Sequence, residues 1–218
     1  MGLKLRLAAV WTPWWVQRRE LDRILGATTR ALNVLLFINQ PGVQEEVVDN
    51  DPQLRGGLAK RREIMSYMQS IRVVTLAVSM GREAAVELGR ATMYEVGLLL
   101  GERARARLGV GDSMDDLVRA ARVMYRVLGI DFRVERPSPD RAVLRVSRCA
   151  LSKWYTNDAC LVMSAADEGV VRGLNPAVGM TFSRRIAYGA PECEAEIVVG
   201  PLANGPVDAA PAAKEVGS

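Results

Sequence analysis

The fold class is decided by residues 130–149, IDFRVERPSPDRAVLRVSRC, where the spacing of apolar residues changes from helical to alternating. Ile130, Phe132 and Val134 alternate with charged side chains, which is typical of a strand with one buried face. Residues 137–140, PSPD, favour a turn, and residues 143–146 resume the extended pattern. This stretch therefore predicts a β-hairpin.

After the hairpin, the sequence predicts one helix and a second pair of strands. Residues 158–173 have helical spacing, whereas residues 178–187 and 194–199 have strand-like spacing on either side of the turn 188–191, YGAP. The last eighteen residues, 201–218, are rich in Ala, Pro and Gly. This composition predicts a disordered tail.

Before the hairpin, the spacing is helical. Residues 13–38 and 61–109 repeat apolar side chains at helical intervals, and a further helix ends near residue 128. Residues 41–57 contain several Gly and Pro pairs and predict a connecting segment. The chain is therefore predicted to be helical first and to form its sheet afterwards.

Five glycines punctuate the long helical region, at Gly81, Gly89, Gly97, Gly101 and Gly109. Because a glycine inside a helix costs about 1 kcal/mol relative to alanine, such a set needs a structural reason. Gly89, Gly97 and Gly101 fall on one stripe of a helix, which predicts that another backbone approaches closely there. Gly81 and Gly109 are predicted to be helix boundaries.

These elements predict an α+β fold, with an N-terminal helical layer packed on a C-terminal antiparallel β-sheet. At 218 residues, 49% of them hydrophobic, the chain is long enough for one ample core. We divide it into residues 1–57 (N-terminal helix and connecting segment), 58–200 (the α+β domain) and 201–218 (the tail).

Charge and apolar stretches argue against two classes of partner. The formal net charge is +4, with 29 basic and 25 acidic residues, and this near balance is not a nucleic-acid-binding composition. The longest uncharged stretch, residues 31–44, is shorter than the roughly 20 apolar residues of a membrane-spanning helix. We expect no nucleic-acid partner and no membrane span.

Three tryptophans, Trp11, Trp14 and Trp15, lead into the first predicted helix. Thr12 followed by Pro13 is typical of a helix start with a hydroxyl cap and proline at the first helical position. The tryptophans suit packing across the fold or across a dimer, or anchoring at a membrane surface.

The chain contains no histidine, which excludes Ser-His-Asp triads, Cys-His dyads and HExxH zinc sites. Its concentrated chemistry is therefore three cysteines, Cys149, Cys160 and Cys193. An odd number of cysteines cannot form a complete disulfide framework and favours a reducing compartment. The sequence thus predicts a soluble cytoplasmic protein.

Short motifs around these cysteines resemble a known family. The motifs are the strand 143–149 ending in cysteine, the helix opening Asp158-Ala159-Cys160, the turn 173–176 (GLNP), the hairpin 189–194 (GAPECE) and the upstream helix 81–90 (GREAAVELGR). Over roughly residues 80–200 they resemble the module shared by L-2-amino-thiazoline-4-carboxylic acid hydrolase-like proteins and 4-vinyl reductase-like small-molecule-binding domains. Ala150 and Ala190 depart from residues that are frequent in that module.

The resemblance implies a homodimer with a pocket near the cysteines, and a chain that binds a small molecule at a cysteine-lined site. Two alternatives follow from the same resemblance. One is a cysteine-dependent hydrolase of a small cyclic C–N or C–S substrate. The other is a non-catalytic dimeric assembly protein, because a related fold also builds vesicle-tethering subunits.

As a hydrolase, the chain would use Cys160 as its nucleophile. In the first turn of a helix capped by Asn157 or Asp158, the helix dipole lowers a thiol pKa and favours the thiolate. Asp158 or Glu192 would carry protons, although their negative charge opposes thiolate formation. This hypothesis predicts that Cys160 is alkylated quickly at neutral pH.

As a binding site, the three cysteines would hold a metal or flank a pocket. Three thiolates leave a fourth zinc position for water or a carboxylate, and zinc or iron is the metal expected there. A pocket would instead take a small hydrophobic or tetrapyrrole-like ligand. The predicted ligand contacts are Cys149, Trp154, Tyr155, Arg185 and Glu192.

Two structural readings limit these hypotheses. Free cysteines are among the most buried residue types and often pack as small hydrophobes. Arg184 and Arg185 point to opposite faces if they lie on one strand, so at most one of them reaches a ligand carboxylate.

Overall fold

The computed structural model describes residues 3–49 and 51–200. Its helices are α1 (Leu3–Val10), α2 (Trp14–Asn39), α3 (Pro41–Asp49), α4 (Leu58–Met80), α5 (Arg82–Leu108), α6 (Met114–Leu128) and α7 (Asn157–Leu174). Its strands are β1 (Ile130–Ser138), β2 (Arg141–Cys149), β3 (Val178–Arg184) and β4 (Cys193–Val199). The predicted α+β class is confirmed. The predicted tail, 201–218, lies outside the described residues.

The four strands form one antiparallel sheet in the order β1-β2-β4-β3. The predicted hairpin is β1 and β2, and the predicted second pair is β3 and β4, joined through a short 3-10 turn at Ile186–Tyr188. In β2, Ala142, Leu144 and Val146 point to the buried face. This face packs against the helices and forms the largest part of the core.

Helix α7 lies on the sheet, and α5 packs on α7 along the predicted glycine stripe. A Cβ atom added at Gly97 would lie 2.0 Å from the backbone oxygen of Ala166, and one added at Gly101 would lie 2.4 Å from that of Val170. At Gly89, an added Cβ would meet the methyl groups of Val162 at 3.0 Å. The predicted close approach of another backbone is confirmed at Gly97 and Gly101.

Two short helices, α1 and α3, were not predicted from the sequence. Leu5 of α1 is buried in the main core, and Arg126 donates hydrogen bonds to the backbone oxygens of Ala8 and Ala9 at the end of α1. These contacts come from distant parts of the chain, so local spacing does not show them. In α3, residues 41–49 form a helix where a connecting segment was predicted, with proline at the first helical position.

The start of α2 differs from the prediction by one residue. Pro13 occupies the N-cap position, and no side chain caps the helix there. The predicted hydroxyl cap is wrong because the Thr12 hydroxyl donates backwards to the oxygen of Ala8, at 2.9 Å. Trp11, Trp14 and Trp15 remain 71%, 65% and 58% exposed, so they do not pack into the fold of the single chain.

A buried arginine links the segment between α3 and α4 to the helices α2 and α4. Arg72 of α4 is fully buried and donates to the side-chain oxygen of Asn33 at 2.6 Å and to the Asp51 carboxylate at 2.9 Å. A buried cation that has both a carboxylate partner and further acceptors is stable in a protein interior. The contact therefore ties residue 51 to α2 and α4.

None of the described helices combines the length and apolarity needed to cross a membrane.

Candidate functional site

A cavity of about 120 Å³ lies between the helical layer and the buried face of the sheet. Most of its wall is apolar and comes from α2, α4, α6, α7 and the strands. The polar or ionisable residues that line it are Thr28, Gln69, Tyr125, Cys149, Tyr155, Cys160, Ser164, Asp167, Arg185 and Cys193. We call this space the central cavity.

All three cysteines line the central cavity. Cys149 is the last residue of β2, Cys193 is the first residue of β4, and Cys160 lies in the first turn of α7. The pairing of Val146 with Cys193 places the two strand cysteines on neighbouring strands. The backbone N–H of Ile186 donates to the sulfur of Cys193 at 3.3 Å.

Burial keeps these thiols protonated at neutral pH. It raises the pKa of Cys149 to about 11 and the pKa of Cys160 to about 12, and it also raises the pKa of Cys193. The cap of α7 is Thr156, whose hydroxyl accepts from the N–H of Ala159 at 3.1 Å, rather than Asn157 or Asp158. Desolvation thus outweighs the helix dipole, and it disfavours the thiolate that the nucleophile hypothesis requires.

We expect Cys160 to be alkylated slowly in the folded protein, contrary to the expectation from its position in the sequence. A pKa near 12 lowers the thiolate fraction about 1000-fold relative to an ordinary thiol, and the higher nucleophilicity of a more basic thiolate recovers only part of this. Iodoacetamide labelling at pH 7.5, followed by peptide mass spectrometry, should give a rate about 10–100-fold below that in denaturant. Equal rates in the folded and unfolded protein would contradict this prediction.

Asp167 of α7 is an ionisable lining residue that sequence reasoning missed. Its carboxyl group makes no hydrogen bond or ion pair with any residue in 3–49 or 51–200. Burial, followed by the negative charge of Glu168, raises the pKa of Asp167 to about 7. This carboxyl group can therefore exist in either protonation state near neutral pH.

Arg185 brings a positive charge to the same wall. The residue follows β3, is only 6% exposed, and donates from Nε to the hydroxyl of Ser164 at 3.2 Å. Its guanidinium carbon lies 5.5 Å from the centre of the Phe182 ring. The neighbouring Arg184, the last residue of β3, is exposed, whereas Arg185 follows the strand, so only Arg185 lines the cavity.

A chain of two hydrogen bonds holds three polar side chains of the cavity wall in place: Tyr155, Gln69 and Thr28. The Tyr155 hydroxyl donates to the side-chain oxygen of Gln69 at 2.5 Å, and the amide nitrogen of Gln69 donates to the Thr28 hydroxyl at 2.7 Å. Burial raises the pKa of Tyr155, so its hydroxyl remains a neutral donor. The chain orients the Gln69 amide beside the cavity.

Three residues predicted for the site do not line the central cavity. Asp158 pairs with Arg82 through Nε at 3.0 Å and Nη2 at 2.7 Å. Glu192 pairs with Arg133 at 2.9 Å. Trp154 is 41% exposed, with the Lys153 ammonium 5.2 Å from its ring centre. The roles assigned to Asp158, Glu192 and Trp154 stay predictions without support from the cavity.

Metal binding also lacks geometric support. Within the part of the chain that the structure describes, no group of three or more Cys, Asp or Glu side chains is arranged to hold a metal ion. Ligation of zinc or iron by Cys149, Cys160 and Cys193 stays a prediction.

The sequence does contain a signal for Asp167. Asp167 lies seven positions after Cys160, and seven residues are close to two full helical turns, so both side chains share one face of α7. Asp167 is also a charged residue on a helix whose neighbouring positions, such as Met163 and Val170, are apolar. A carboxyl group on the buried face of a predicted helix would have identified it.

Comparisons with known proteins place these features in context. No curated protein matches the chain in sequence. The chain is similar in structure to a trafficking protein particle complex subunit 3 from Naegleria fowleri, crystallised covalently bound to palmitic acid. The TM-score is 0.49 and the sequence identity is 13%, and the match covers 66% of this chain and 99% of that chain.

The family comparison covers most of the domain. A sequence model of L-2-amino-thiazoline-4-carboxylic acid hydrolase matches residues 61–197 of the 218-residue chain. This range includes the three cysteines, Asp167 and Arg185, and leaves out the part of the cavity wall that α2 supplies. The resemblance inferred from the cysteine motifs is confirmed, and the chain belongs to the L-2-amino-thiazoline-4-carboxylic acid hydrolase family.

Proposed function

We propose that the central cavity binds a small molecule that combines an apolar ring with a carboxylate and a cationic or N–H-bearing group. The observation that carries this proposal is the apolar wall interrupted by one cation, Arg185, and one carboxyl group, Asp167. Ligand sites are typically apolar concavities with a few convergent polar groups. A filled interior, as expected for a purely structural role, is not what surrounds the cysteines.

The volume limits the ligand to a small one. One water needs roughly 10–15 Å³ of such space, so about 120 Å³ corresponds to about eight to twelve water-sized positions. A drug-sized ligand occupies several times this volume. The molecule after which the family is named, a single ring with one amino and one carboxylate substituent, suits a cavity of this size.

The charges suit the same class of molecule. An arginine guanidinium recognises a carboxylate through paired N–H donors, and a carboxylate accepts hydrogen bonds from the N–H groups of an amidine. Arg185 and Asp167 would therefore bind opposite ends of an amino-thiazoline carboxylate. The protonated thiols of Cys149, Cys160 and Cys193 would add weakly polar, polarisable contacts rather than a nucleophile.

A homodimer is part of the proposal, and exposed apolar residues on two helices support it. Val34, Phe37 and Ile38 of α2 are 52%, 58% and 69% exposed, and Val74 and Val78 of α4 are 42% and 83% exposed. Clustered exposed apolar residues are typical of protein interfaces. An assembly role for this surface is compatible with a ligand in the cavity.

Filling the cavity should abolish binding. Val146 of β2 lines the cavity, whereas Val143 of the same strand points to the opposite face, so Val146→Phe and Val143→Phe form a matched pair. We expect calorimetry to show binding of L-2-amino-thiazoline-4-carboxylic acid to the wild type and to V143F, and none to V146F. At about 100 times Kd, the ligand should add about 2.7 kcal/mol of stability and raise Tm by about 5–10 °C.

Two results would contradict this proposal. A wild-type protein that neither binds the compound nor is stabilised by it would remove the proposed ligand class. Binding that is equally strong in V146F, with its fold intact by circular dichroism, would place the binding site outside the central cavity.

A further inference from the structure

On the basis of the proposed function, we infer that Asp167 is the catalytic residue that transfers protons when water opens the ring of a cyclic amidine bound in the central cavity. Asp167 lines the cavity, and its carboxyl group has no hydrogen-bond or ion-pair partner in residues 3–49 or 51–200. Asp167 is half-buried, and a largely desolvated carboxyl group without a protein partner is costly, so its persistence beside a cavity points to a partner in the ligand.

The position of Asp167 on α7 places it between the other polar groups of the wall. Cys160 and Ser164 precede it by about two turns and one turn on the same face, and Ser164 accepts a hydrogen bond from Arg185. A ligand whose carboxylate is held by Arg185 would therefore extend along α7 toward Asp167. This arrangement would bring the amidine carbon, and a water beside it, within reach of the carboxyl group.

The electrostatic surroundings suit a group that must both accept and donate a proton. The ionisable groups that line the cavity around it are Cys149, Cys160 and Cys193, the two tyrosines Tyr125 and Tyr155, and Arg185, and Glu168 is its neighbour on α7. Burial gives Asp167 a pKa of about 7. A catalytic acid–base works best when its pKa is close to the operating pH.

The reaction balances with water as the only co-reactant. The Asp167 carboxylate accepts a proton from water as the water oxygen bonds to the amidine carbon, and the acid then gives this proton to the ring nitrogen. In the tetrahedral intermediate, Asp167 accepts the hydroxyl proton as the C=O bond forms. It returns that proton to the ring sulfur as the bond between this sulfur and the former amidine carbon breaks. The product is the ring-opened carbamoyl compound, heavier by one water.

The test measures binding and turnover separately on the full chain. L-2-amino-thiazoline-4-carboxylic acid is incubated with wild type, Asp167→Asn, Asp167→Glu and the control Asp140→Asn, which makes the same exchange in the exposed turn between β1 and β2. Mass spectrometry follows the ring-opened product. We expect D167N to lose about 10²–10⁴-fold in kcat, measured at saturating substrate so that the weaker binding of a residue that also contacts the ligand does not contribute. D167E should recover part of kcat, and D140N should match wild type.

A pH profile separates proton transfer from a merely structural role. Because the carboxylate must be free to accept the first proton, wild-type kcat should rise with pH through about 7 and then level off. D167N should lack this inflection. Turnover by D167N at the wild-type rate, or a wild type that binds the compound without forming product, would overturn this inference and leave the proposed binding function intact. Absence of binding to the wild type would instead overturn the proposed function.

Discussion

Gly97→Ala is expected to lower the free energy of unfolding by about 3 kcal/mol or more, which is a large effect for a single methyl group. The added Cβ would lie 2.0 Å from the backbone oxygen of Ala166, and both Ala166 and Gly97 belong to long helices. No side-chain rotation relieves a clash with backbone, so α5 and α7 must move apart. The same substitution in an unobstructed helix would stabilise the protein by about 1 kcal/mol.

Gly26→Ala is the matched control for this experiment. Gly26 lies in the middle of α2, and nothing comes within 4 Å of a Cβ atom added there. We therefore expect G26A to gain about 0.5–1 kcal/mol from helix propensity alone. Urea unfolding of G97A, G26A and wild type measures the difference. A change of less than about 0.5 kcal/mol in G97A would show that α5 and α7 do not pack this closely.

The glycine stripe shows how far sequence spacing predicts packing. The spacing of Gly97 and Gly101 identified the face of α5 where a backbone approaches, but it did not identify the partner. The partner has a matching pair, Gly169 and Gly173 of α7, with the same four-residue spacing. The glycines on each helix leave room for the backbone of the other helix, and only the tertiary structure shows that these two pairs lie in the same interface.

The sheet was predictable because alternation is a local property, whereas the short helices were not. Ile130, Phe132 and Val134 alternate strongly enough to define β1 from the sequence alone. In contrast, α1 depends on Leu5 entering a core built from distant segments and on Arg126, which binds carbonyl groups at its end. An eight-residue helix is marginal without such contacts.

In the candidate site, too, closeness in sequence did not show which side chains share the cavity. Asp158 and Glu192 are close to the cysteines in sequence, but a two-residue step along a helix turns a side chain by about 200°, and Glu192 lies in the bend before β4, where it pairs with Arg133. Asp158 and Glu192 therefore lie away from the cavity that Cys160 and Cys193 line. Asp167 lies further along the sequence yet shares the face of Cys160.

Asp167→Asn is expected to stabilise the protein at pH 8 and to change its stability little at pH 4. Burial holds the pKa of Asp167 at about 7 in the folded chain, against an ordinary value near 3.8 in the unfolded chain. Between about pH 4 and pH 7 the unfolded state loses this proton while the folded state keeps it. The contribution of Asp167 to the wild-type free energy of unfolding therefore falls by on the order of 4 kcal/mol as pH rises from about 4 to 7, and it stays constant above pH 7.

Asparagine cannot ionise, so D167N does not lose this stability. The gap in free energy of unfolding between D167N and wild type should therefore widen from pH 4 to pH 8. Urea unfolding of wild type and D167N at pH 4, 6 and 8 measures that gap, and taking the difference at each pH cancels every other titrating group. D140N makes the same exchange at an exposed turn and is the control for the substitution itself. A gap for D167N that does not change with pH would mean that Asp167 carries its charge without cost in the folded state. Such a result would remove the physical basis for a carboxyl group poised near neutral pH, because burial would then not oppose its ionisation.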